Sequence, residues 1–310
     1  MNAAPIRVAL VGLGKIARDQ HLPALLADPA FALAATVCPL GGRTDGVPAF
    51  ATLEDLRAAD VGVDAVAICT PPQVRHRLAA EALGCGLHVL LEKPPAATLS
   101  EAASLVDLAA EAGVTIFAAW HSRFAAGVEP ARAWLACSEV RGARIIWRED
   151  VRVWHPGQAW IWQPGGFGVF DPGINALSIA TRILPGTVCL TDAELELPAN
   201  RDAPIAARLA LRTAGGAPIE VDFDFRQTGP QTWDIEVETD AGTLLLSQGG
   251  SVLTLPEGTR RDSDAEYPAL YARFADLVRR GASEVDTAPL ALVEDAFRRG
   301  RVLRAEAFID

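Results

Sequence analysis

This sequence has no long apolar run, no cluster of basic residues and no cationic stretch followed by an apolar core near its first residues. No apolar stretch reaches the ~20 residues that a membrane-spanning helix needs. The first residues lead directly into a strand pattern, so we expect no signal peptide and a cytoplasmic location. The net charge of -11 disfavours nucleic acids and membrane surfaces as partners, because both require a basic surface. These absences favour a small-molecule partner.

Cysteines at the spacing of metal ligands are lacking as well. The 5 cysteines are scattered, without a CxxC pair or a Cys/His ligand pattern. A structural zinc or iron–sulfur site is therefore not expected, and no metal is predicted.

The length of 310 residues predicts two domains, because one domain averages roughly 150 residues. In the first part of the chain, apolar strand runs alternate with helical patterns. Such alternation predicts a doubly wound parallel sheet, an α/β Rossmann domain over residues 1–122. The predicted strands are 6–11, 31–37, 63–69, 88–91 and 115–120, and the predicted helices are 16–26, 75–83 and 99–112.

After Arg123 the strands follow one another with alternating apolar and polar residues. This pattern predicts an α+β domain over residues 123–310, with a mostly antiparallel open sheet and a last helix able to pack back on the first domain. The predicted strands are 143–153, 205–211, 219–226, 233–239 and 243–246, and the predicted helices are 174–184, 270–280 and 290–308.

A glycine loop, Gly12-x-Gly14-x-x-Ala17, lies between the first strand and the first helix. The first glycine allows a tight turn, the second lets backbone amides approach a pyrophosphate, and a small third residue permits close helix packing. The helix dipole favours a phosphate at this position. A glycine-rich turn alone often binds nothing, but within an N-terminal βαβ unit it predicts a dinucleotide site.

The acidic residue that holds the ribose 2′-hydroxyl of NAD is missing after the second strand. The strand ends at Val37-Cys38-Pro39, and the following loop carries Arg43. Without a carboxylate to repel a 2′-phosphate, and with a guanidinium to pair with it, NADP should be accepted. We therefore expect NADP or NAD, with use of both. The alternative is that Arg43 is a solvated loop cation.

Three polar residues near element ends are candidates for chemistry. Lys93 follows a parallel strand, where open α/β sheets bind ligands, although a lysine there can simply be exposed. Asp171 precedes a proline and could instead cap a helix. Asn175 follows four residues later, so both side chains can face the same side of that helix.

Tryptophans are concentrated between Trp147 and Trp162, and the Trp154-His155 pair is the preferred sugar contact. The apolar face of a sugar stacks on an indole while a polar neighbour binds hydroxyl groups. His121 and Glu149 are similar candidates, with packing in the core as the alternative for each.

The glycine loop, the Thr70-Pro71-Pro72 turn with His76, the Glu92-Lys93-Pro94 segment and the Asp171-x-x-x-Asn175 segment together resemble the Gfo/Idh/MocA family of nicotinamide-dependent sugar and polyol oxidoreductases. The resemblance spans the chain. Within that family, the sequence around Asp171 and the Trp154-His155 pair look like those of bacterial aldose 1-dehydrogenases acting on D-galactose and L-arabinose.

The resemblance implies a Rossmann domain joined to an open sheet that supports the substrate and often an oligomer interface, hence a homodimer or homotetramer. It also implies catalytic roles for Lys93 and Asp171. The implied sugar contacts are Asn175, His121, Glu149, Trp154, His155 and Trp233. The implied cofactor contacts are Gly12, Gly14, Lys15, Ile16, Cys38, Arg43, Thr70, Pro71, His76, Glu92 and Lys93.

Asn175 departs from the family pattern, because many members have at this position a histidine that acts as general base. Asparagine cannot take a proton, which argues against the polyol mechanism. It suits an aldose, whose anomeric hydroxyl is more acidic than an ordinary alcohol. The hypothesis is that Lys93 and Asp171 flank O1 of the sugar while hydride leaves C1, giving the lactone of D-galactose, L-arabinose or D-fucose.

Two alternatives stay open from the sequence. One is a polyol, inositol or other sugar dehydrogenase of the same family. The other, from a different class, is a regulator that binds a dinucleotide without turnover, a hypothesis that the presence of both Lys93 and Asp171 disfavours.

Overall fold

The computed structural model describes residues 4–263 and 265–309. The strands, numbered in chain order, are β1 Ile6–Val11, β2 Phe31–Val37, β3 Ala49–Phe50, β4 Ala65–Ile68, β5 His88–Glu92, β6 Ile116–Ala119, β7 Val140–Arg148, β8 Val188–Pro198, β9 Ala206–Thr213, β10 Pro218–Asp224, β11 Thr232–Thr239, β12 Gly242–Ser247, β13 Val252–Leu255, β14 Gly258–Arg261 and β15 Arg301–Ala305.

The helices are α1 Leu22–Ala27, α2 Leu53–Ala58, α3 Pro72–Gly84, α4 Leu99–Ala112, α5 Val128–Leu135, α6 Val151–Trp154, α7 Phe170–Ile183, α8 Glu266–Arg280 and α9 Ala288–Arg299. A π-helical turn, Ala17–His21, precedes α1. None of the helices within the described residues is both long and apolar enough to cross a membrane.

The first compact unit contains the chain as far as Trp120 together with Tyr267–Thr287. Its parallel strands follow the order β3-β2-β1-β4-β5-β6. The order reverses between β1 and β4, and ligands of doubly wound sheets bind outside the carboxyl ends of the strands at such a point. The predicted Rossmann fold is confirmed.

The strands of this unit are buried on both faces, as the continuous apolar runs predict. Val8, Leu10 and Ile68 are among the side chains with 0% exposure. Because helices cover both faces, the strand ends are where polar side chains of this unit can meet a ligand.

The second unit contains His121–Glu266 and Ala288–Asp310. Its strands follow the order β14-β13-β12-β11-β7-β10-β9-β8-β15. Neighbouring strands are antiparallel except for the parallel pairs β7 with β10 and β8 with β15, so the mostly antiparallel sheet is confirmed. Helix α7 packs against this sheet through an almost continuous run of buried residues.

Helix α7 lies so close to β10 that a Cβ on Gly173 would be only 2.6 Å from Cδ2 of Phe223. Glycine at this position therefore permits the close approach of helix and sheet. The other face of the sheet is lined by charged side chains, including Arg144, Arg208 and Asp222, which border a shallow groove.

The unit boundaries differ from the predicted division at residues 122 and 123. Helix α8 clusters with the first unit, whereas α9 belongs to the second. The segment that clusters with the first unit is thus the penultimate helix, and packing of the last helix back on the first domain stays a prediction. The buried faces of Tyr271 and Phe274 on α8 pack against Phe31, a residue of β2.

Two predicted elements are wrong over part of their length. The strand predicted over 143–153 ends at Arg148, because the side chain of Asp150 accepts a hydrogen bond from the amide of Arg152 and starts α6. The helix predicted over 290–308 ends at Arg299. A Cβ on Gly300 would lie 2.4 Å from the carbonyl oxygen of Ala296, and the chain then forms β15 against β8.

Candidate active site

The glycine loop begins where β1 ends. Gly12 has φ of +88°, a backbone conformation that favours glycine, and its amide donates to the carbonyl oxygen of Val37 at 2.8 Å. A Cβ on Gly12 would lie 2.9 Å from Cγ2 of Thr70, the residue that follows β4 by two positions. The loop therefore lies so close to the residues that follow β4 that no side chain fits at Gly12.

The same loop is open on its outer side. No described atom lies within 4 Å of a Cβ built on Gly14. The Thr70 hydroxyl oxygen is buried and has no hydrogen-bond partner among the described residues. An open backbone cradle beside an unsatisfied hydroxyl fits the phosphates of a dinucleotide, so these residues are suited to the nicotinamide cofactor.

Other predicted cofactor residues follow this loop or β4 along the chain. Lys15 is exposed and forms an ion pair with Asp19 one helical turn later, while Ile16 precedes the π-helical turn. Pro71 precedes α3, and the Nε2 atom of His76 on α3 lies 2.9 Å from Oγ of Ser104 on α4. The cofactor roles of Lys15, Ile16, Pro71 and His76 stay predictions.

The turn after β2 contains Cys38, and Arg43 lies exposed in the following loop. Burial works to raise the pKa of the Cys38 thiol, but backbone hydrogen bonds from Leu13, Gly42 and Leu40 and the nearby Arg18 guanidinium lower it below its usual range. Arg18 thus lies at this turn, although the sequence reasoning did not single it out.

Arg18 is held there by the glycine loop. Its Nε atom donates to the carbonyl oxygen of Leu13 at 3.2 Å, and a Cβ on Gly42 would lie 3.1 Å from its Nη2 atom. A sequence signal for it did exist, since Arg18 is the first residue after the last small residue of the glycine motif, but the fold of the β2 loop was needed to interpret it.

Lys93 follows β5, and its surroundings are set by two buried charged residues. The Glu92 carboxylate accepts a hydrogen bond from the Lys93 amide at 2.9 Å. The Arg75 guanidinium, which is 3% exposed, donates to the carbonyl oxygens of Glu92, Pro94 and Thr70. The Lys93–Pro94 peptide bond is cis. The Glu92 side chain therefore faces the protein interior, and its predicted contact with the cofactor stays a prediction.

In the second unit, Glu149 lies where the ends of β7, β10 and β11 meet. Its amide donates to the carbonyl oxygen of Asp224, and its side chain is 2% exposed. One carboxylate oxygen lies 3.0 Å from Nε2 of His155, and the other accepts a hydrogen bond from Nε1 of Trp233 at 2.9 Å. Three predicted sugar contacts are thus hydrogen-bonded to one another.

Asp171 joins this group through His155. The Oδ2 atom of Asp171 lies 3.9 Å from Nδ1 of His155, at the limit of an ion pair. The alternative that Asp171 caps a helix is wrong, because α7 begins at Phe170 and its N-cap residue is Val169. Asn175 lies on the next turn of α7, where its carbonyl oxygen accepts a hydrogen bond from the Ser178 hydroxyl.

Three tryptophans form an aromatic layer beside the carboxylates. The rings of Trp147 and Trp233 stack at 5.5 Å, and the Trp154 ring lies 4.7 Å from that of Trp233. Trp147 is 4% exposed, whereas Trp154 is 38% exposed. Trp154 is therefore the ring of this layer that offers a face to a ligand.

His121 lies at the start of the second unit, with its Nδ1 atom 2.6 Å from Oε2 of Glu266. Sequence reasoning also missed Phe225, whose ring lies 5.5 Å from that of His155. No local pattern identifies Phe225, because its position at the site depends on the pairing of β7 with β10.

Comparisons with known proteins identify the family of the chain. The sequence profile of the Gfo/Idh/MocA oxidoreductase family, with its NAD-binding Rossmann fold, matches residues 6–120. A galactose 1-dehydrogenase of Pseudomonas fluorescens is 45% identical over 99% of this chain and 99% of its own length.

Solved structures give the same result. A D-galactose-1-dehydrogenase of Rhizobium etli is 51% identical, with a TM-score of 0.95 over 100% of this chain and 99% of its own. A 3-ketoreductase of Actinomadura kijaniata in complex with NADP is 20% identical and shares the fold, with a TM-score of 0.84 over 97% of this chain and 99% of its own. The chain therefore belongs to the Gfo/Idh/MocA family of nicotinamide-dependent oxidoreductases.

Proposed function

We propose that this chain is an NAD(P)-dependent aldose 1-dehydrogenase that oxidises C1 of D-galactose, and of the related sugars L-arabinose and D-fucose, to the lactone. The observation that carries the proposal is the hydrogen-bonded group of Glu149, His155 and Trp233 beside Asp171, with the exposed ring of Trp154 next to it. Carboxylates and an imidazole bind hydroxyl groups, and an indole face binds the apolar side of a pyranose. The full-length similarity to galactose 1-dehydrogenases supports the choice of sugar.

The reaction removes two electrons and two hydrogens from the anomeric carbon and its hydroxyl group. When bound, the nicotinamide cofactor accepts the hydrogen on C1 together with its electron pair. The proton on O1 goes to the protein, and the carbon–oxygen single bond becomes the lactone carbonyl. The side chains of the chain therefore have to bind the ring, accept one proton and stabilise negative charge on O1.

Asp171 is the proposed proton acceptor, and Lys93 is the proposed cation that stabilises oxyanion character on O1. Asp171 is 5% exposed, so few water molecules compete for its carboxylate. Asn175 lacks a titratable group and serves to orient a hydroxyl. An anomeric hydroxyl is more acidic than an ordinary alcohol, which fits a carboxylate as its base.

The sugar ring is proposed to lie against Trp154, with His155 and Asn175 binding hydroxyl groups. Both oxygens of the Glu149 carboxylate are hydrogen-bonded within the protein, to His155 and Trp233. We therefore assign Glu149 first to the orientation of these two side chains. His121, next to Glu266, is a further proposed hydroxyl contact.

Both NADP and NAD are proposed as cofactors. The loop after β2 carries no carboxylate at the end of the strand, and two cations, Arg18 and Arg43, are available for a 2′-phosphate. Arg18 already lies at the turn that contains Cys38. Because neither cation obstructs a 2′-hydroxyl, NAD is expected to bind as well.

The experiment is a substrate and cofactor panel with purified protein. Reduced nicotinamide should form with D-galactose, L-arabinose and D-fucose, and the lactone should be the product, whereas myo-inositol should give no turnover. Oxidation of myo-inositol in preference to the aldoses would favour the polyol alternative. Binding of NADP without turnover of any sugar would favour a regulator.

Two variants test the roles of the side chains. Asp171→Asn and Lys93→Met should each lower kcat by about 100-fold or more, the scale of acid–base and oxyanion contributions. Asp192→Asn and Arg279→Met change an exposed aspartate and an exposed cation elsewhere in the chain and should retain turnover. Wild-type turnover in both Asp171→Asn and Lys93→Met would refute the assignment.

A homo-oligomer, dimer or tetramer, is also proposed. The charged face of the second sheet, with Arg144, Arg208 and Asp222, bears both signs of charge and can pair with a second copy of itself. Light scattering on the purified protein decides the oligomeric state, and a monomer at micromolar concentration would contradict this proposal.

A further inference from the structure

A buried polar network lies directly behind Lys93. The Glu92 carboxylate is 3% exposed, and its Oε1 atom accepts hydrogen bonds from Nε2 of His21 at 3.0 Å and from the Tyr267 hydroxyl at 2.7 Å. Its Oε2 atom accepts the hydrogen bond from the Lys93 amide. One carboxylate thus connects a histidine, a tyrosine and the backbone of the proposed catalytic lysine.

The network is extended by a second tyrosine. The Nδ1 atom of His21 lies 2.7 Å from the Tyr271 hydroxyl, so both ring nitrogens of His21 have partners. Burial raises the pKa of Tyr271 well above its usual range, and the nearby Cys69 and Glu92 raise it further, so the phenol keeps its proton. His21 and Tyr271 are both 0% exposed.

His21 belongs to the π-helical turn that follows the glycine loop. Single π-helical turns within α-helices often occur at functional sites, because they redirect side chains that a regular helix would place elsewhere. Here the last residue of the turn points to Glu92. Tyr267 and Tyr271 lie one helical turn apart on α8, so two chain segments converge on this carboxylate.

A buried carboxylate is a poor choice for stability alone. For buried charges the loss of hydration can cost more than the contacts return, and well-packed apolar side chains at such places are often equally stable or more so. A charged network of this kind is better explained by the geometry that it imposes. The neighbouring guanidinium of Arg75 binds the carbonyl oxygens of Glu92 and Pro94, so the backbone on both sides of Lys93 is restrained.

We propose that His21 and Tyr267 are positioning residues that act through Glu92 to set the place of Lys93 relative to the glycine loop. Neither side chain needs to touch the sugar. Their role is to fix the backbone from which the Lys93 ammonium extends, so that its positive charge lies next to O1 of the sugar, where negative charge develops. This inference rests on the proposed function for its catalytic consequence, but the effect on Lys93 can be measured without turnover.

The kinetic test compares substitutions in the network with a substitution of equal burial outside it. Tyr267→Phe removes the hydroxyl donor to Glu92, and His21→Leu removes the imidazole. Each should lower kcat by about 10-fold or more, with the sugar KM and cofactor Kd within about twofold, because a misplaced catalytic group loses rate rather than affinity. His21→Gln places an amide donor near the Nε2 position and should recover most of the rate.

Phe274→Leu is the matched control. Phe274 lies on α8, is 0% exposed and packs against Phe31 and Phe117. Its truncation disturbs the same helix without touching Glu92, so its kcat should stay within about twofold of wild type. Equal losses of kcat in Phe274→Leu and Tyr267→Phe would show that the network is merely structural and would overturn the proposal.

A spectroscopic readout is independent of catalysis. The chain has only two lysines, Lys15 and Lys93, so protein carrying 13C at the lysine ε-carbon gives two assignable NMR signals. In Tyr267→Phe the Lys93 signal should shift while the Lys15 signal stays in place, and in Phe274→Leu both should stay. An unmoved Lys93 signal in Tyr267→Phe and in His21→Leu would refute the positioning role.

The two readouts also separate this inference from the proposed function. If wild-type protein oxidises no aldose but the Lys93 signal responds to Tyr267→Phe, the proposed function fails and the positioning role stands. If wild-type protein oxidises D-galactose and the signal does not respond, the positioning role fails alone.

Discussion

The indole nitrogen of Trp233 donates a hydrogen bond of 2.9 Å to the Glu149 carboxylate, whose other oxygen lies 3.0 Å from the His155 ring. Trp233 and Glu149 are 84 positions apart in the sequence. Trp233 lies near the start of β11, and Glu149 directly follows the neighbouring strand β7. A carboxylate that is 2% exposed depends on such partners, because water cannot replace them. The Trp233 ring therefore has two roles, as an apolar surface in the tryptophan layer and as a hydrogen-bond donor.

Removing this donor while keeping an aromatic ring should destabilise the protein. Trp233→Phe should lower the free energy of unfolding by about 1–3 kcal/mol, the scale for a buried charged group that loses a hydrogen bond. Denaturant titration measures this loss. Trp154→Phe, at the more exposed ring of the layer, should have the smaller effect. An equal or larger loss in Trp154→Phe would contradict this account of Trp233.

The two glycines of the phosphate loop should respond differently to alanine. Gly14→Ala places a methyl group in open space and should leave the thermal midpoint of the cofactor-free protein unchanged, yet weaken NADP binding because the methyl group occupies the path of the pyrophosphate. Gly12→Ala should lower both the thermal midpoint and the NADP affinity, because Gly12 has φ of +88° and the added methyl group would clash with Thr70. Calorimetric titration and thermal unfolding separate the two effects, and unchanged NADP affinity in Gly14→Ala would count against the loop as the phosphate site.

Cofactor choice should depend on the two arginines near the β2 turn. Arg18→Ala and Arg43→Ala should each raise the Kd of NADP by about 10-fold or more, which is the contribution of one charge-assisted hydrogen bond to phosphate. The Kd of NAD should change little. Titration of both variants with both cofactors measures this. Equal weakening of NAD and NADP would show that the arginines support the loop rather than bind the 2′-phosphate.

Helix α7 should not tolerate a side chain at Gly173. A Cβ at this position would lie 2.6 Å from the Phe223 ring, so Gly173→Ala should lower the free energy of unfolding by about 1–3 kcal/mol despite the better helix propensity of alanine. Gly84→Ala in α3 is the matched control, because no described atom lies within 4 Å of its Cβ. It should be neutral or stabilising by up to about 1 kcal/mol, and a neutral Gly173→Ala would refute the close packing.

His88 should make stability fall as the solution becomes more acidic. Burial lowers the pKa of His88, against a smaller opposing effect of Asp64, and the Thr115 amide donates to its Nδ1 atom at 2.9 Å. Protonation of Nδ1 would break this bond. The unfolded chain therefore takes up a proton at higher pH than the folded chain, and stability is lost as pH falls below the usual histidine range of about 6.5.

The His88→Gln variant isolates this effect. The difference in free energy of unfolding between wild type and His88→Gln, measured by denaturant titration, should be larger at about pH 8 than at about pH 5.5. A constant difference over this range would mean that His88 has the same proton affinity in both states.

The sequence predicted the fold of the first unit well, because its signals are local. Glycines end buried strands, and apolar runs alternate with helices of regular period, as at 99–112, where the predicted helix and α4 agree. In the second unit the pattern failed where a single residue ended an element. Asp150 turned the chain out of β7, and Gly300 ended α9.

The candidate site could be predicted as a set of residues but not as an arrangement. Asp171, His155, Glu149 and Trp233 are found in one hydrogen-bonded or ion-paired group. The network of His21, Tyr267 and Tyr271 behind Lys93 was missed, because a histidine in a helix and two tyrosines near the other end of the chain, the second of them 250 residues later, form no sequence pattern.

By itself, the sequence determined that a dinucleotide loop opens the chain and that two kinds of sheet follow, since turn chemistry and hydrophobic period are properties of neighbouring residues. Only the tertiary structure decided which buried charges share a partner. Glu92 receives its hydrogen bonds from a helix before it and from a helix 175 residues after it. The donors that lie within 3 Å of a buried carboxylate are determined by strand order and helix packing, and these depend on residues far apart in the sequence.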